Sequence, residues 1–130
     1  MNQPTNNRVM IVVGNAHFSY LMQRYVRTSE HQVISANLGE DVLALARSEK
    51  PAAIVLEVDR PETIGWHTLR ALKADPEIGR IPVILCSWLD EEARGRAEGA
   101  ELFLRMPILY ADFGAALAAT LTKERDEEGS

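Results

Sequence analysis

The chain alternates short apolar runs with longer stretches in which apolar positions return every three or four residues. The short runs are Val9–Val13, Val33–Ala36, Ala52–Val58, Ile81–Cys86 and Leu102–Leu104. All but Val33–Ala36 are apolar at nearly every position, whereas a strand covered on one face only would alternate. They read as strands buried on both faces of a parallel sheet. Val33–Ala36 is shorter and more polar, as an edge strand would be.

Helical spacing fills the intervals. Phe18, Leu21, Met22, Tyr25 and Val26 recur at helical spacing and mark one face of a first helix. Asp41–Glu49 carries Val42, Leu45 and Ala46 on one stripe, and Pro51 stops it. Trp66, Leu69 and Leu72 mark a third helix; Leu109, Phe113, Ala116, Leu117 and Leu121 mark a long last one. The stretch Asp90–Glu98 is the weakest pattern, with Ala93 and Ala97 as its apolar positions and a helix-weakening Gly95 inside it. Strict strand–helix alternation predicts an α/β fold, a doubly wound parallel sheet with helices on both faces. Sites in such folds lie at the carboxyl ends of the strands. The residues there are Gly14-Asn15, Glu57-Val58-Asp59, Ser87-Trp88 and Met106-Pro107.

Size and charge narrow the reading. The 130 residues suit one domain, taken as residues 8–123, with 1–7 and 124–130 as flexible tails. Nineteen acidic residues against fourteen basic ones give a net charge of −5. That balance argues against nucleic acid, whose binding needs clustered positive charge, and against an anionic membrane surface. The apolar runs fall far short of the roughly 20 residues needed to span a bilayer. The N-terminus lacks the basic and apolar regions of a signal peptide. A lone Cys86 cannot form an internal disulfide. A cytoplasmic protein is expected.

Several segments together carry a family resemblance. They are Val9-Met-Ile-Val-Val13, Pro51-Ala-Ala-Ile-Val-Leu-Glu57 followed by Pro61 and Gly65, and Leu69-Arg-Ala-Leu-Lys-Ala-Asp-Pro76. Ile81-Pro-Val-Ile-Leu85 and Gly99-Ala-Glu-Leu-Phe-Leu-Arg-Met-Pro107 complete the set. The sequence resembles the receiver (CheY-like) domain of two-component response regulators over nearly its whole length. The resemblance implies a flavodoxin-like five-stranded sheet of order 2-1-3-4-5 and a non-enzymatic role in phosphorelay signalling. It also implies a cis Met106–Pro107 bond, a switching aromatic at Phe103, and an output and dimerisation face on the fourth helix, fifth strand and fifth helix. Only twelve steps separate Ser87 from Gly99, so the fourth helix is about one turn shorter than is usual in the family.

The family's site uses an acid pair that binds Mg²⁺, an aspartate that accepts a phosphoryl group from a histidine kinase, a Thr or Ser, and a Lys before a proline. By resemblance these positions map to Gly14 and Asn15, Glu57, Ser87 and Met106. Only the hydroxyl survives in kind. Glu57 is the one charged side chain of the five, so Mg²⁺ binding is expected to be weak or absent and no cofactor is expected. Phosphoryl transfer relies on positioned cations, and here the metal's acids and the lysine are both replaced.

The residue types leave some roles open. Glu57, about 1.5 Å longer than aspartate, reads either as a mimic of the phosphorylated state hydrogen-bonded by Ser87, or as a solvated strand-end residue held by the Asn15 amide. Trp88 reads as a cap over the site or as an exposed aromatic at an interface. Phe103 reads as a half-buried aromatic or as a switch. Met106 reads as a filler of apolar space and Cys86 as a small core residue. His17, His31 and His67 lack metal-ligand spacing. The leading reading is an atypical receiver that acts without phosphorylation, through contacts with a histidine kinase, an output domain or a second copy. The alternatives are a receiver phosphorylated at an unusual site, and a flavodoxin-like nucleotide or flavin binder. For the latter, Gly14-Asn-Ala-His-Phe-Ser19 supplies no phosphate-cradling pattern.

Overall fold

Successive residues of a strand point to opposite faces, and here both faces are covered. In the computed structural model, which describes residues 7–14, 16–37, 41–58 and 64–129, the strands are β1 (Arg8–Val12), β2 (Gln32–Ala36), β3 (Ala53–Glu57), β4 (Val83–Ser87) and β5 (Leu102–Arg105). The helices are α1 (Ala16–Thr28), α2 (Val42–Glu49), α3 (Ile64–Ala74), α4 (Glu92–Ala97) and α5 (Tyr110–Gly129). The sheet is parallel throughout, in the expected order β2-β1-β3-β4-β5.

One core joins Met10, Val12, Ile54, Leu56, Val83 and Leu85 to Val42 and Ala46 of α2 and Trp66, Leu69 and Leu72 of α3. The other joins Val9, Ile11, Ala53, Val55, Ile84 and Cys86 to Met22 and Val26 of α1 and Phe113 and Leu117 of α5. Every apolar position of an inner strand therefore belongs to one core or the other, which is why these runs do not alternate.

Four details depart from the sequence pattern. Leu102, Phe103 and Leu104 are only half-buried, because β5 lies at the sheet edge and has a single neighbour. In α4, Ala93 and Ala97 are exposed and Gly95 is the buried residue. A Cβ on Gly95 would lie 2.7 Å from Leu85 Cδ2, so the glycine lets this helix approach the sheet closely. Leu109 precedes α5 and is exposed, being placed by the turn at Pro107 and not by the helix. The charge run read as a tail continues α5 through Gly129, since no helix breaker interrupts it. The Met106–Pro107 bond is cis, as the resemblance implies.

Helix ends are set by local chemistry. The Asp41 carboxylate accepts the Ala44 N–H at 3.0 Å and starts α2. Lys50, left-handed at φ 46°, ends α2 by donating its N–H to Ala46 O. Gly99, at φ 106°, turns the chain out of α4, and Ala100 N–H donates to Gly95 O at 2.9 Å.

Ion pairs tie the helices on the first core's side. Arg47 of α2 grips the Asp75 carboxylate just beyond α3 through Nε and Nη2. The other oxygen of Asp75 accepts N–H groups of Glu77 (2.8 Å) and Ile78 (3.1 Å). These bonds, with Arg47 foremost, hold the Asp75 carboxyl below its ordinary range. The Asp75 carboxyl thus releases its proton more readily in the folded chain than in the unfolded one. Its stabilising effect is present above the unfolded value near 4 and is lost as pH falls through the depressed folded value. Asp75→Asn is therefore expected to lower the urea midpoint at neutral pH. The gap to wild type should narrow as pH falls below the unfolded value near 4, and urea titrations at stepped pH would measure it.

Candidate functional site at the strand ends

The carboxyl ends of β1, β3, β4 and β5 carry the residues singled out by the sequence. Glu57 closes β3 and is buried, with 8% of its surface exposed. Its Oε1 accepts the backbone N–H of Gly14, just past β1, at 2.9 Å. The carboxylate thus bridges the exits of two adjacent strands. It is neither solvated nor shown on the Asn15 amide, since Asn15, like Asp59, lies outside the described residues.

Gly65 in the first turn of α3 makes this packing fit. A Cβ there would lie 2.5 Å from Glu57 O and 2.9 Å from Val58 Cγ1. The Val58 N–H donates to Cys86 O at 2.9 Å, which keeps β3 and β4 in register to their ends.

Ser87 is fully buried, and its Oγ accepts the Leu89 N–H at 3.0 Å. The hydroxyl closes its own loop, as Ser commonly does in turns; among the described residues it is not paired with Glu57. Ser87 O also accepts the Met106 N–H at 2.8 Å. Met106 is buried in the second core with Val13, Cys86 and Phe113, where its thioether occupies apolar space. Cys86, opposite Glu57 in the sheet register, is wholly buried. Desolvation, and then the Glu57 charge, push its thiol far above the usual range, so it is an inert core residue.

Two aromatic positions separate. Trp88 is exposed (57%), as is the neighbouring Leu89, so Trp88 presents its ring outward and does not cap the strand ends. Its carbonyl accepts Arg105 Nε at 3.0 Å, which fixes the loop to β5. Phe103 is half-buried against the first core, close to Gly95. A shallow groove of about 260 Å³ lies to one side, lined by residues that include Gly14, Ser19, Tyr20, Gln23 and Asn37, and not by Glu57, Ser87 or Met106.

His17, His31 and His67 lie in separate elements or loops. Among the described residues there is no grouping of three His, Cys, Asp or Glu that could hold a metal ion. No described helix is long and apolar enough to cross a membrane. Sequence reasoning missed the Gly14 N–H as the partner of Glu57, because a backbone donor has no residue signature. The need for Gly65 was signalled only by its presence among the resemblance positions.

No family model matches the chain. It is similar to Protein PilH of Pseudomonas aeruginosa, 33% identical over 104 residues that cover 78% of this chain and 86% of PilH. It is similar to the polar-differentiation response regulator DivK of Brucella anthropi, 32% identical over 108 residues covering 81% and 88% of the two chains. Among solved structures, the chemotaxis response regulator CheY4 of Vibrio cholerae superposes with a TM-score of 0.79. At 20% identity it covers 90% of this chain and all of CheY4.

The glycines near and far from the site give a paired test. Gly65→Ala is expected to destabilise the protein by about 1–3 kcal/mol, since the new methyl meets backbone that cannot retreat. Gly114→Ala, whose Cβ would meet nothing within 4 Å, is expected to be neutral or to stabilise α5 by up to about 1 kcal/mol. Urea unfolding of both variants measures the contrast.

Proposed function

The chain belongs to the receiver domains of two-component response regulators, and within phosphorelay signalling we propose that it acts through protein contacts without being phosphorylated. The observation that carries this reading is the buried Glu57 carboxylate, at the phosphoacceptor position, bonded to the Gly14 N–H at 2.9 Å. A nucleophilic carboxylate must be open to the incoming phosphoryl group and flanked by cations that take up its charge. Here one carboxylate oxygen is engaged by the backbone, and the lysine position is filled by the buried Met106.

The described residues do not suit Mg²⁺. That ion asks for octahedral oxygen ligands including one or two carboxylates. Glu57 is the one carboxylate among the described site residues, and Gly14 turns a donor toward it. No step is therefore routed through a metal, and no catalysis is assigned to the domain. The same contacts support reading Glu57 as a strut between β1 and β3 in preference to a phosphoaspartate mimic. Its bond runs to Gly14, Ser87 is engaged with Leu89, and Met106 offers no counter-charge.

Contact with partners is assigned to the loop and face around Trp88, Leu89 and Phe103. Exposed Trp and Leu side by side are costly to leave in water and are favoured at interfaces. The partners fitting this family are a kinase, an output domain or a second copy, in the cytoplasm. The net charge of −5 disfavours nucleic acid.

Incubation with Mg²⁺ and acetyl phosphate, followed by intact mass measurement, tests the reading. No mass gain is expected. A gain of one phosphoryl group that disappears in Glu57→Ala would overturn it.

A further inference from the structure

Helix α4 should not be stable by itself. It has six residues, a glycine inside and no side-chain cap at Glu91. Helices this short are marginal in water, and an interior glycine weakens them further. Its apolar contribution is also slight, since Ala93 and Ala97 face solvent and Gly95 is the buried residue. Something outside the helix must hold it, and the structure supplies a compact set of contacts from α3.

Arg94 lays its guanidinium over the Trp66 ring, 4.1 Å from the centroid. Its Nε donates to Glu98 Oε2 at 3.2 Å. Arg70 of α3 donates its Nε to the other oxygen of the same carboxylate at 2.7 Å. Trp66 is fully buried, so Arg94 lies against a fixed ring. Glu98 is shared by two arginines, one on each helix, and Arg70 above all holds its carboxyl below the usual range. Just beyond, a Cβ on Gly99 would lie 2.9 Å from Lys73 Cγ, and Lys73 Nζ donates to Glu101 Oε2 at 2.9 Å. The cation–π contact and the two charge-assisted hydrogen bonds meet on Arg94 and Glu98, so they form one unit and not separate surface pairs.

We propose that Trp66, Arg94, Glu98 and Arg70 form a clamp that makes α4 a conditional helix, folded only while docked on α3. The clamp sets whether the adjoining Trp88–Leu89 loop is presented in one conformation. This rests on the reading that the strand-end site does not switch the domain by phosphorylation. The device then lies one layer away from Glu57, and a partner that competes for Arg94 or Glu98 would release α4 while leaving the sheet intact. Opening of this kind is a local unfolding event, distinct from global denaturation.

Hydrogen–deuterium exchange of the full chain tests the clamp. In Glu98→Gln and in Arg94→Gln, amides over residues 88–100 are expected to exchange about tenfold faster, the factor that loss of one charge-assisted hydrogen bond allows. Amides of β1, β3 and β4 are expected to keep their wild-type rates. The double variant is expected to exchange little faster than the faster single one, because both changes break the same unit. Unchanged exchange over 88–100, or equal acceleration in the sheet, would overturn the clamp. If acetyl phosphate adds a phosphoryl group while the variants still loosen 88–100 alone, the phosphorylation-independent reading fails and the clamp stands. If no phosphoryl group is added and the variants do nothing, the clamp fails and that reading stands.

Discussion

A sheet covered on both faces leaves its inner strands no polar side. Val9 to Val12, Ala53 to Leu56 and Val83 to Cys86 are wholly buried, so polar chemistry is confined to the strand ends, where each group must find its partner locally. Glu57 sits on that boundary. A carboxylate at 8% exposure needs a donor, and the nearest exit of a neighbouring strand supplies the Gly14 N–H. Ser87, equally enclosed, takes the Leu89 N–H, and Met106, without a polar group to satisfy, joins the apolar core. The arrangement of the site follows from satisfying buried groups, one by one, with what the strand ends provide.

The two helical layers are held by different chemistry. Around α1 and α5 the contacts are aromatic: Tyr25 packs on Tyr110 and Phe113, with its hydroxyl donating to Ile108 O at 2.9 Å. Around α2, α3 and α4 they are ionic, running through Arg47–Asp75, Arg70–Glu98 and Lys73–Glu101. Isolated exposed ion pairs contribute little, because solvent screens them and side-chain entropy opposes them. Where a carboxylate also accepts backbone N–H groups, as Asp75 and Glu101 do, the pair becomes part of the chain's own turn geometry. Aromatic packing is insensitive to partner charge, whereas a bridged carboxylate can be competed for.

The strands were legible because double-sided burial imposes apolar residues along the inner runs, whereas their order was implied only by the family resemblance. Edge position was less legible. Leu102–Leu104 is as apolar as an inner run, but burial at β5 is decided by the absence of a further neighbour, which no local pattern encodes. Gly95 was read by its intrinsic helix cost, while the structure uses it for close approach to Leu85, a long-range contact. Likewise Ala93 and Ala97 suit a helix face by spacing, but which face docks was set by Arg94 and Trp66 from another element. At the site, the residue types were readable and their partners were not. Glu57 and Ser87 lie at the ends of β3 and β4, and both accept backbone N–H groups, from Gly14 and Leu89.

The difference between aspartate and glutamate at the end of β3 is best understood through reach. The side chain gains about 1.5 Å, one C–C bond. Oε1 stands 2.9 Å from the Gly14 N–H, within the ordinary range for a hydrogen bond. On the proposed reading, a carboxylate that satisfies itself on backbone needs no metal to offset its burial, so acids and a lysine gathered around an ion would lose their electrostatic purpose together. On the proposed reading this accounts for why Gly14 and Met106 accompany Glu57. Each substitution alone would leave an uncompensated charge or an unfilled volume, whereas the set is closed. On that same reading, the surface beside the site is left to carry information: an exposed Trp88, whose carbonyl accepts Arg105 Nε, leads into α4, where Arg94 lies over Trp66.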